Sequence, residues 1–239
     1  MPVIAAVADS HLPKYLDMFK RALESFDFSG VDLLVLAGDM VHRGRAPEYS
    51  RILSMVREKY EGPIIAVYGN EEYMGLEDAI RKICGDEVTW LDDSYTMLSI
   101  GGERVGIVGS RGALDEPTTW QSKHIPNIRE LYSARIAKIE EMLREARRKS
   151  DYAILVTHYA PICDTLRGER QSIWKQLGSK RLADVVKRVG PDAVIHGHAH
   201  RSRVPEASIG RARVYNVSLP AIGRIARIEL KRGGLLEFL

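Results

Sequence analysis

Five short polar patches, each directly after an apolar run, constrain the fold of this 239-residue chain more than any other feature. The patches are Asp9-Ser10-His11, Gly38-Asp39, Gly69-Asn70, His158 and His196-Gly197-His198-Ala199-His200. The apolar runs before them cover residues 3–7, 31–37, 64–68, 153–157 and 193–195. Such runs are typical of buried strands, and the carboxyl ends of strands in an open α/β sheet meet at one crevice. We therefore expect the five patches to lie together.

The side chains of these patches form a consistent set of metal ligands. A single Asp after Gly is usually a turn or cap residue, and a single His is usually structural, so the prediction depends on the complete set. Carboxylates, neutral imidazoles and one amide oxygen suit a pair of divalent first-row metals better than calcium or a structural zinc ion. We expect two such ions, which could be Mn, Fe, Zn, Ni or Co. His196 is expected in the surroundings of the ligands or in the core.

The order of the patches resembles the pattern of the calcineurin-like metallophosphoesterases. That pattern reads D-x-H, G-D, G-N-H-[DE], a lone His and G-H-x-H, and the resemblance runs from residue 4 to about residue 220. It departs at one position, where the family's His after G-N is Glu71. The resemblance implies an α/β fold in four αββα layers, with two mixed β-sheets flanked by helices. It also implies a metal-dependent phosphoesterase that attacks a phosphodiester or phosphomonoester with a metal-bridging hydroxide.

The resemblance further assigns the ligands to two ions that share Asp39. The first ion would be held by Asp9, His11, Asp39 and His200. The second would be held by Asp39, Asn70, His158 and His198. The residue that departs from the pattern is not among these ligands.

Arg43 and Asn70 are the candidate substrate-binding residues. Arg43 lies in Gly38-Asp39-Met40-Val41-His42-Arg43-Gly44, which resembles G-D-x-V-D-R-G of the serine/threonine phosphatase branch. In that branch the Arg binds phosphoryl oxygens, a role that suits a planar fork of donors. The alternative for Arg43 is a surface arginine in the loop before a helix.

His42 and Glu71 are the candidate catalytic residues, because they exchange the residue types of that branch. There the Asp of D-R-G pairs with the His of G-N-H, which protonates the leaving group. Here His42 could be the acid, with Glu71 orienting it and raising its pKa. Glu71 could instead be the acid itself, or neither could be catalytic and Glu71 could pair with a nearby Arg. The sequence leaves the three readings open.

Composition limits the other possibilities. The length and the 45% hydrophobic content fit a single domain over residues 1–239, and the absence of a long apolar stretch or a signal peptide favours the cytoplasm. With 35 basic and 32 acidic residues, the surface is balanced and argues against nucleic acid as a partner. The 28% charged content with few Asn and Gln hints at a thermophilic source. Cys84 and Cys163 lack metal-site spacing and are expected to be reduced thiols.

Periodicity predicts alternating strands and helices in the first half and antiparallel strands later. Helices are expected near 13–26, 47–60, 75–83, 127–148 and 180–189. Strands are expected at 3–8, 31–37, 64–68, 88–91, 95–100, 104–108, 152–157 and 192–196, and as a meander at 202–208, 211–218, 224–230 and 234–238. Residues 110–126 and 161–179 fit no regular element and are expected to be functional loops. In 161–179, Arg167, Arg170 and Trp174 would suit a nucleotide or another phosphorylated aromatic molecule.

Two classes of function remain open. The first is an enzyme that acts on a small phosphorylated substrate, such as a nucleotide. The second is a scaffold with the same fold, like a retromer subunit that has a degraded metal site. Because all seven ligand positions retain competent side chains, we favour the enzyme. A nuclease is a further alternative, although that branch carries large additional capping regions.

Overall fold

The computed structural model describes residues 1–231, and its elements alternate as the periodicity predicts. The strands are β1 (Val3–Val7), β2 (Leu33–Ala37), β3 (Ile64–Val67), β4 (Thr89–Trp90), β5 (Ser94–Ile100), β6 (Glu103–Ser110), β7 (Tyr152–Thr157), β8 (Ala160–Pro161), β9 (Gly178–Ser179), β10 (Ala193–His196), β11 (Glu206–Ile209), β12 (Ala212–Asn216) and β13 (Ala226–Glu229). The helices are α1 (Leu16–Ser25), α2 (Glu48–Arg57), α3 (Glu77–Cys84), α4 (Thr119–His124), α5 (Ile128–Lys149), α6 (Lys180–Val189) and α7 (Leu219–Ile222). Short 3₁₀ segments cover Gly85–Glu87, Asp164–Leu166 and Gln171–Gln176.

Two mixed sheets organise these elements. The first has the order β13-β1-β2-β3-β4, in which β13 alone runs antiparallel to its neighbour. The second has the order β11-β12-β10-β7-β6-β5, with antiparallel strands at both edges. The predicted fold class, two mixed sheets flanked by helices, is confirmed.

Alternating side chains of the strands build three apolar layers. In β1, Ile4 and Ala6 face the second sheet, whereas Ala5 and Val7 face the helices, as a period of two residues requires. Helices α1 to α3 cover the first sheet, and α5 and α6 cover the second. The layer between the sheets contains Ile65 and Ile154. It fixes the sheets face to face, with the carboxyl ends of their parallel strands at a common edge.

Local sequence explains where helix α6 begins and ends. The Ser179 hydroxyl accepts a hydrogen bond from the Leu182 N–H at 3.2 Å, which satisfies one of the free donors at the start of the helix. Gly190 ends the helix with φ of +64°, a conformation that favours glycine. Because the helix stops there, the chain can turn directly into β10, which leads to the His196–His200 patch.

Two predictions about the strands were wrong in part. The strand near 88–91 does not join the antiparallel group: β4 pairs in parallel with β3 after crossing over through α3. The tail is not a meander, because α7 and Gly223 (φ +67°) redirect the chain so that β13 pairs with β1 in the other sheet. Two- to four-residue strands carry too little periodicity to specify their partners. The strand predicted at 234–238 lies outside the described residues.

The two loops predicted to lack regular structure contain short elements. Residues 110–126 include α4, and residues 161–179 include β9 and two 3₁₀ segments. Within residues 1–231, no helix combines the length and apolar character needed to cross a bilayer.

Candidate metal centre

Four of the predicted ligands lie at turns with unusual backbone geometry. Asp9 (φ +59°), His11 (+42°), Asp39 (+52°) and His198 (+69°) all adopt positive φ angles. Such angles are uncommon for residues other than glycine and cost free energy unless surrounding contacts enforce them. Each of these residues follows β1, β2 or β10 closely, so the turns direct polar side chains back over the edge of the sheets.

The first group of predicted ligands contains Asp9, His11 and His200. Their ligand atoms lie within 4.8 Å of one another. The His200 Nε2 atom lies 3.0 Å from Oδ1 of Asp9 and 3.4 Å from Nε2 of His11. Nε2 of His11 also lies 3.9 Å from Oδ2 of Asp39, which connects this group to the second.

The second group contains Asp39, His158 and His198, again within 4.8 Å of one another. The His158 Nε2 atom lies 3.4 Å from Oδ2 of Asp39 and 3.2 Å from Oδ1 of Asn70. The structure therefore brings all seven predicted ligands together, with Asp39 between the two groups. Asp9 and Asp39 come from the first sheet, and His158 and His198 come from the second.

Glycines allow the loops to approach these carboxylates. A Cβ atom on Gly69 would overlap Oδ1 of Asp39. A Cβ atom on Gly197 would lie 2.8 Å from Oδ2 of Asp9 and 2.6 Å from Cβ of Ala8. At Gly197 the close approach lets the His198 N–H donate to Oδ2 of Asp9 at 2.8 Å. The G-N and G-H steps of the sequence pattern thus have a steric cause.

The arrangement of His158 fits a bound cation. Its Nδ1 atom lies 3.1 Å from the Ala37 carbonyl oxygen, so an Nδ1–H tautomer leaves the Nε2 lone pair directed at Asp39 and Asn70. Facing two oxygen acceptors, Nε2 needs either a proton or a metal ion between it and those oxygens. Carboxylate, imidazole and amide ligands in two adjoining groups match the donor set that divalent first-row metals prefer.

The pKa values of the histidines also indicate a site that binds cations. Burial opposes protonation of His158, but the Asp39 carboxylate outweighs burial and raises the pKa of His158 to about 9. For His200 the Asp9 carboxylate likewise overcomes burial and raises the pKa above its usual value. Burial lowers the pKa of His198 to about 3, so that imidazole is neutral. The carboxylates of Asp39 and Asp9 therefore attract positive charge to the site, whereas burial keeps the imidazole of His198 unprotonated.

His42 and Glu71 lie beside the first group. The His42 Nδ1 atom is 3.4 Å from Oε2 of Glu71, although the contact does not meet hydrogen-bond geometry. His11, His42 and Glu71 offer ligand atoms within 4.8 Å of one another. The Glu71 carboxylate also accepts a hydrogen bond from the Arg43 N–H at 2.5 Å. His42 and Glu71 therefore lie next to each other at the opening of the site, and the exposed Arg43 lies beside them.

Sequence reasoning missed Glu72, which is fully buried beneath the centre. Its carboxylate accepts hydrogen bonds from the N–H groups of Gly69 (2.7 Å), Asp39 (2.8 Å), Met40 (2.8 Å) and Val41 (3.3 Å) and from the Tyr49 hydroxyl (2.9 Å). Burial, together with the Asp39 charge, raises the pKa of Glu72, and the backbone donors oppose that rise. The [DE] that ends the G-N-H-[DE] pattern was the signal available for this residue.

Other predicted features have local partners. His196 is buried with Nε2 2.8 Å from the Thr165 hydroxyl. Trp174 packs against Leu166 and donates its indole N–H to the Glu169 carbonyl oxygen at 3.3 Å. Arg167 pairs with Asp164 at 3.0 Å on the surface. These contacts within the protein explain the positions of His196, Trp174 and Arg167, and no bound ligand is needed to explain them. Both cysteines are free thiols.

A comparison with known protein families agrees with the grouping of the candidate ligands. The family description "calcineurin-like phosphoesterase" matches residues 2–202 of the chain. The chain belongs to the calcineurin-like phosphoesterase family. The predicted resemblance is therefore confirmed over most of the sequence. A search of curated proteins returned no significant match.

Several solved structures share the calcineurin-like fold. Phosphopantetheinyl hydrolase from Mycobacterium tuberculosis superposes with a TM-score of 0.64 at 19% identity, over 92% of this chain and 90% of that one. GAP50, the anchor in the inner membrane complex of Plasmodium, gives 0.60 at 14% identity over 92% and 72%. A dimetal phosphatase from Danio rerio gives 0.54 at 14% identity over 90% and 86%. At these identities the similarity shows the fold alone.

Replacement of Glu72 should destabilise the protein strongly. We expect Glu72→Ala to lower the free energy of unfolding by about 2–5 kcal/mol, because several buried N–H groups lose their acceptor. Tyr49→Phe is the matched control, since it removes one donor to the same carboxylate and should cost about 1 kcal/mol. Urea denaturation of both variants measures the difference. Equal losses for the two variants would refute the role of Glu72 as the shared acceptor.

Metal affinity should rise with pH. In the metal-free protein, His158 (pKa about 9) holds a proton at neutral pH, and an ion must displace it. Asp9 raises the pKa of His200 as well, which adds to the competition between protons and metal. Between pH 6 and 8, the logarithm of the affinity for Mn²⁺ should therefore increase by at least about one per pH unit. Competition with a chelator of known pH dependence measures it. An affinity that is independent of pH in this range would contradict the protonation of His158.

Proposed function

We propose that this chain is a metal-dependent phosphohydrolase that cleaves a small phosphomonoester or phosphodiester at a dinuclear centre. The observation that supports the proposal most directly is the convergence of seven ligand side chains in two adjoining groups around Asp39. Membership of the calcineurin-like phosphoesterases gives the reaction class. Two of the structures compared, a hydrolase and a dimetal phosphatase, are consistent with it.

The two groups of ligands define which residues would hold the ions. Asp9, His11, Asp39 and His200 would bind one ion, and Asp39, Asn70, His158 and His198 would bind the other. Bound divalent ions would supply Lewis acidity and an activated water for attack on phosphorus. The Ala37 carbonyl holds the tautomer of His158, and the buried Glu72 holds the backbone on which Asp39 is carried. These contacts preorganise the ligands.

A scaffold without catalysis is the competing class. GAP50 is described as an anchor and has a similar fold, so the fold alone does not decide between the classes. A scaffold has no need for a complete set of buried ligands with raised and lowered imidazole pKa values. We infer catalysis because such a set costs stability and is retained here without a missing position.

The mouth of the centre supports two further roles for its residues. Arg43 is exposed in the left-handed region (φ +52°), and its N–H is fixed by Glu71, so its guanidinium is available to phosphoryl oxygens. We assign Arg43 and Asn70 to substrate binding. We assign His42 as the proton donor to the leaving group, with Glu71 as its orienting partner, because the two lie 3.4 Å apart beside His11. Glu71 itself is the alternative donor.

Hydrolysis of generic aryl esters tests the proposed activity. The protein loaded with Mn²⁺ should hydrolyse p-nitrophenyl phosphate or bis(p-nitrophenyl) phosphate, and Asp39→Asn should reduce kcat by at least about 10²-fold because both ions lose a shared carboxylate. Glu87→Gln, at a surface carboxylate that pairs with Arg57 and lies outside both ligand groups, is the control. A protein that binds two metal ions yet turns over neither ester would favour the scaffold.

Leaving-group dependence tests the assignment of His42. His42→Ala should reduce turnover of alkyl esters by about 10²–10⁴-fold, the range for general acid catalysis. Aryl esters should lose much less, because their leaving groups depart without a proton. Glu71→Gln should be milder, since the amide can still contact the imidazole and accept from the Arg43 N–H. The double variant His42→Asp with Glu71→His should recover activity that each single change loses.

Two outcomes would change the assignment. Equal losses on alkyl and aryl esters in His42→Ala would indicate that His42 binds substrate or supports structure. A larger alkyl-specific loss in Glu71→Gln than in His42→Ala would transfer the acid role to Glu71.

A further inference from the structure

A cleft of about 960 Å³ adjoins the metal centre and extends beyond the residues assigned above. Its lining includes Asn70 and His198 of the metal centre and Trp120 and His124 of α4. Ligand pockets commonly have volumes of about 300–1,000 Å³. The cleft is therefore large enough for the whole organic group of an ester whose phosphate lies at the metal ions.

Exposed apolar side chains are concentrated at this cleft. Trp120 is 62% exposed, Met74 is 59% exposed and Tyr73 is 45% exposed, and all three line it. Among the described residues, the other exposed large hydrophobics are Met1 (61%) and Met97 (36%). Clustered exposed apolar side chains mark binding surfaces, whereas scattered ones do not. The indole of Trp120 also stacks on His124, with ring centroids 4.7 Å apart, and so presents a flat aromatic face.

The cations of the cleft are already neutralised. Arg111 pairs with Glu77 at 3.2 Å and donates to the Glu72 carbonyl oxygen at 2.8 Å. Arg135 pairs with Asp93 at 2.9 Å and donates to the Gly112 carbonyl oxygen. Asp92 adds a further carboxylate to the lining. Within residues 1–231, both arginines that line the cleft are paired, so a second phosphate or a carboxylate on the substrate would be repelled by the acids.

The wall that carries Trp120 is held in place. The Thr118 hydroxyl accepts from the Gln121 N–H at 3.2 Å, and the Gln121 side chain accepts from the Thr118 N–H at 2.9 Å, which closes a capping box at the start of α4. The Gln121 amide donates to the Tyr159 hydroxyl at 3.0 Å. Tyr159 in turn contacts His198, with ring centroids 4.9 Å apart. The aromatic face is therefore fixed relative to the metal centre.

We propose that this cleft binds the organic group of the substrate and selects an uncharged group that bears an aromatic ring, which stacks on Trp120. The proposal rests on the phosphoesterase function given above and adds the substrate class to it. Trp120 is then a specificity-determining residue, while the ions and their ligands bind the phosphate. Small alkyl esters and esters with a second anionic group are poor substrates.

Binding of phosphonates to the Mn²⁺-loaded protein tests the proposal, because these compounds carry one organic group and are not hydrolysed. Calorimetry should show that 1-naphthylmethylphosphonate binds at least about tenfold more tightly than methylphosphonate. A carboxylate on the naphthyl ring should remove most of that advantage. Trp120→Ala should reduce the advantage to less than about threefold without changing methylphosphonate binding, and Trp120→Phe should retain most of it. Met97→Ala, at an exposed apolar residue outside the cleft, is the matched control.

The outcomes separate the two proposals. If the protein hydrolyses aryl phosphates but binds both phosphonates equally, or if Trp120→Ala leaves the preference unchanged, the cleft proposal is overturned and the phosphoesterase function stands. If neither phosphonate binds and no ester is hydrolysed, both proposals fail together.

Discussion

The carboxylate of Glu72 is the contact on which the geometry of the metal centre depends. It is buried and accepts hydrogen bonds from backbone N–H groups after β2 and after β3, as well as from the hydroxyl of Tyr49. These bonds hold the Asp39 turn, which has a positive φ, against the Gly69 turn. The Glu71 N–H then donates to Oδ1 of Asp39 at 2.7 Å. Loss of this acceptor would leave several buried donors unsatisfied and would release the residue that both ions are proposed to share.

The position of the centre follows from the way the two sheets pack. Parallel strands β1, β2 and β3 deliver Asp9, Asp39 and Asn70 from one sheet, while β7 and β10 deliver His158 and His198 from the other. The apolar layer between the sheets fixes their relative position, so ligands that are distant in sequence meet within a few ångströms. The packing of the sheets therefore holds the candidate ligands in fixed positions relative to one another. The adjoining cleft is lined by residues of α4, of the start of α5 and of the segment after β3.

Sequence analysis could predict that the candidate ligands converge, because each of them is a short-range signal: a polar residue placed directly after an apolar strand. It could not predict the sheet membership of β4 and β13, since strands of two and four residues carry no information about their partners. Glu72 was missed because an acidic residue after Glu71 reads as solvated charge unless its burial is known. The cleft was missed because its lining is assembled from Asn70, Trp120 and Tyr132, which lie far apart in the chain. Their proximity is a property of the packing alone.

The central claim is that two ions bind on either side of Asp39. A crystal of the Mn²⁺-loaded protein, measured on both sides of the manganese absorption edge, tests it directly. The account predicts two anomalous peaks about 3.5–4 Å apart, one next to Asp9, His11 and His200 and the other next to Asn70, His158 and His198. A single peak, or two peaks of which one lies at His42 and Glu71 rather than beside His158, would contradict it.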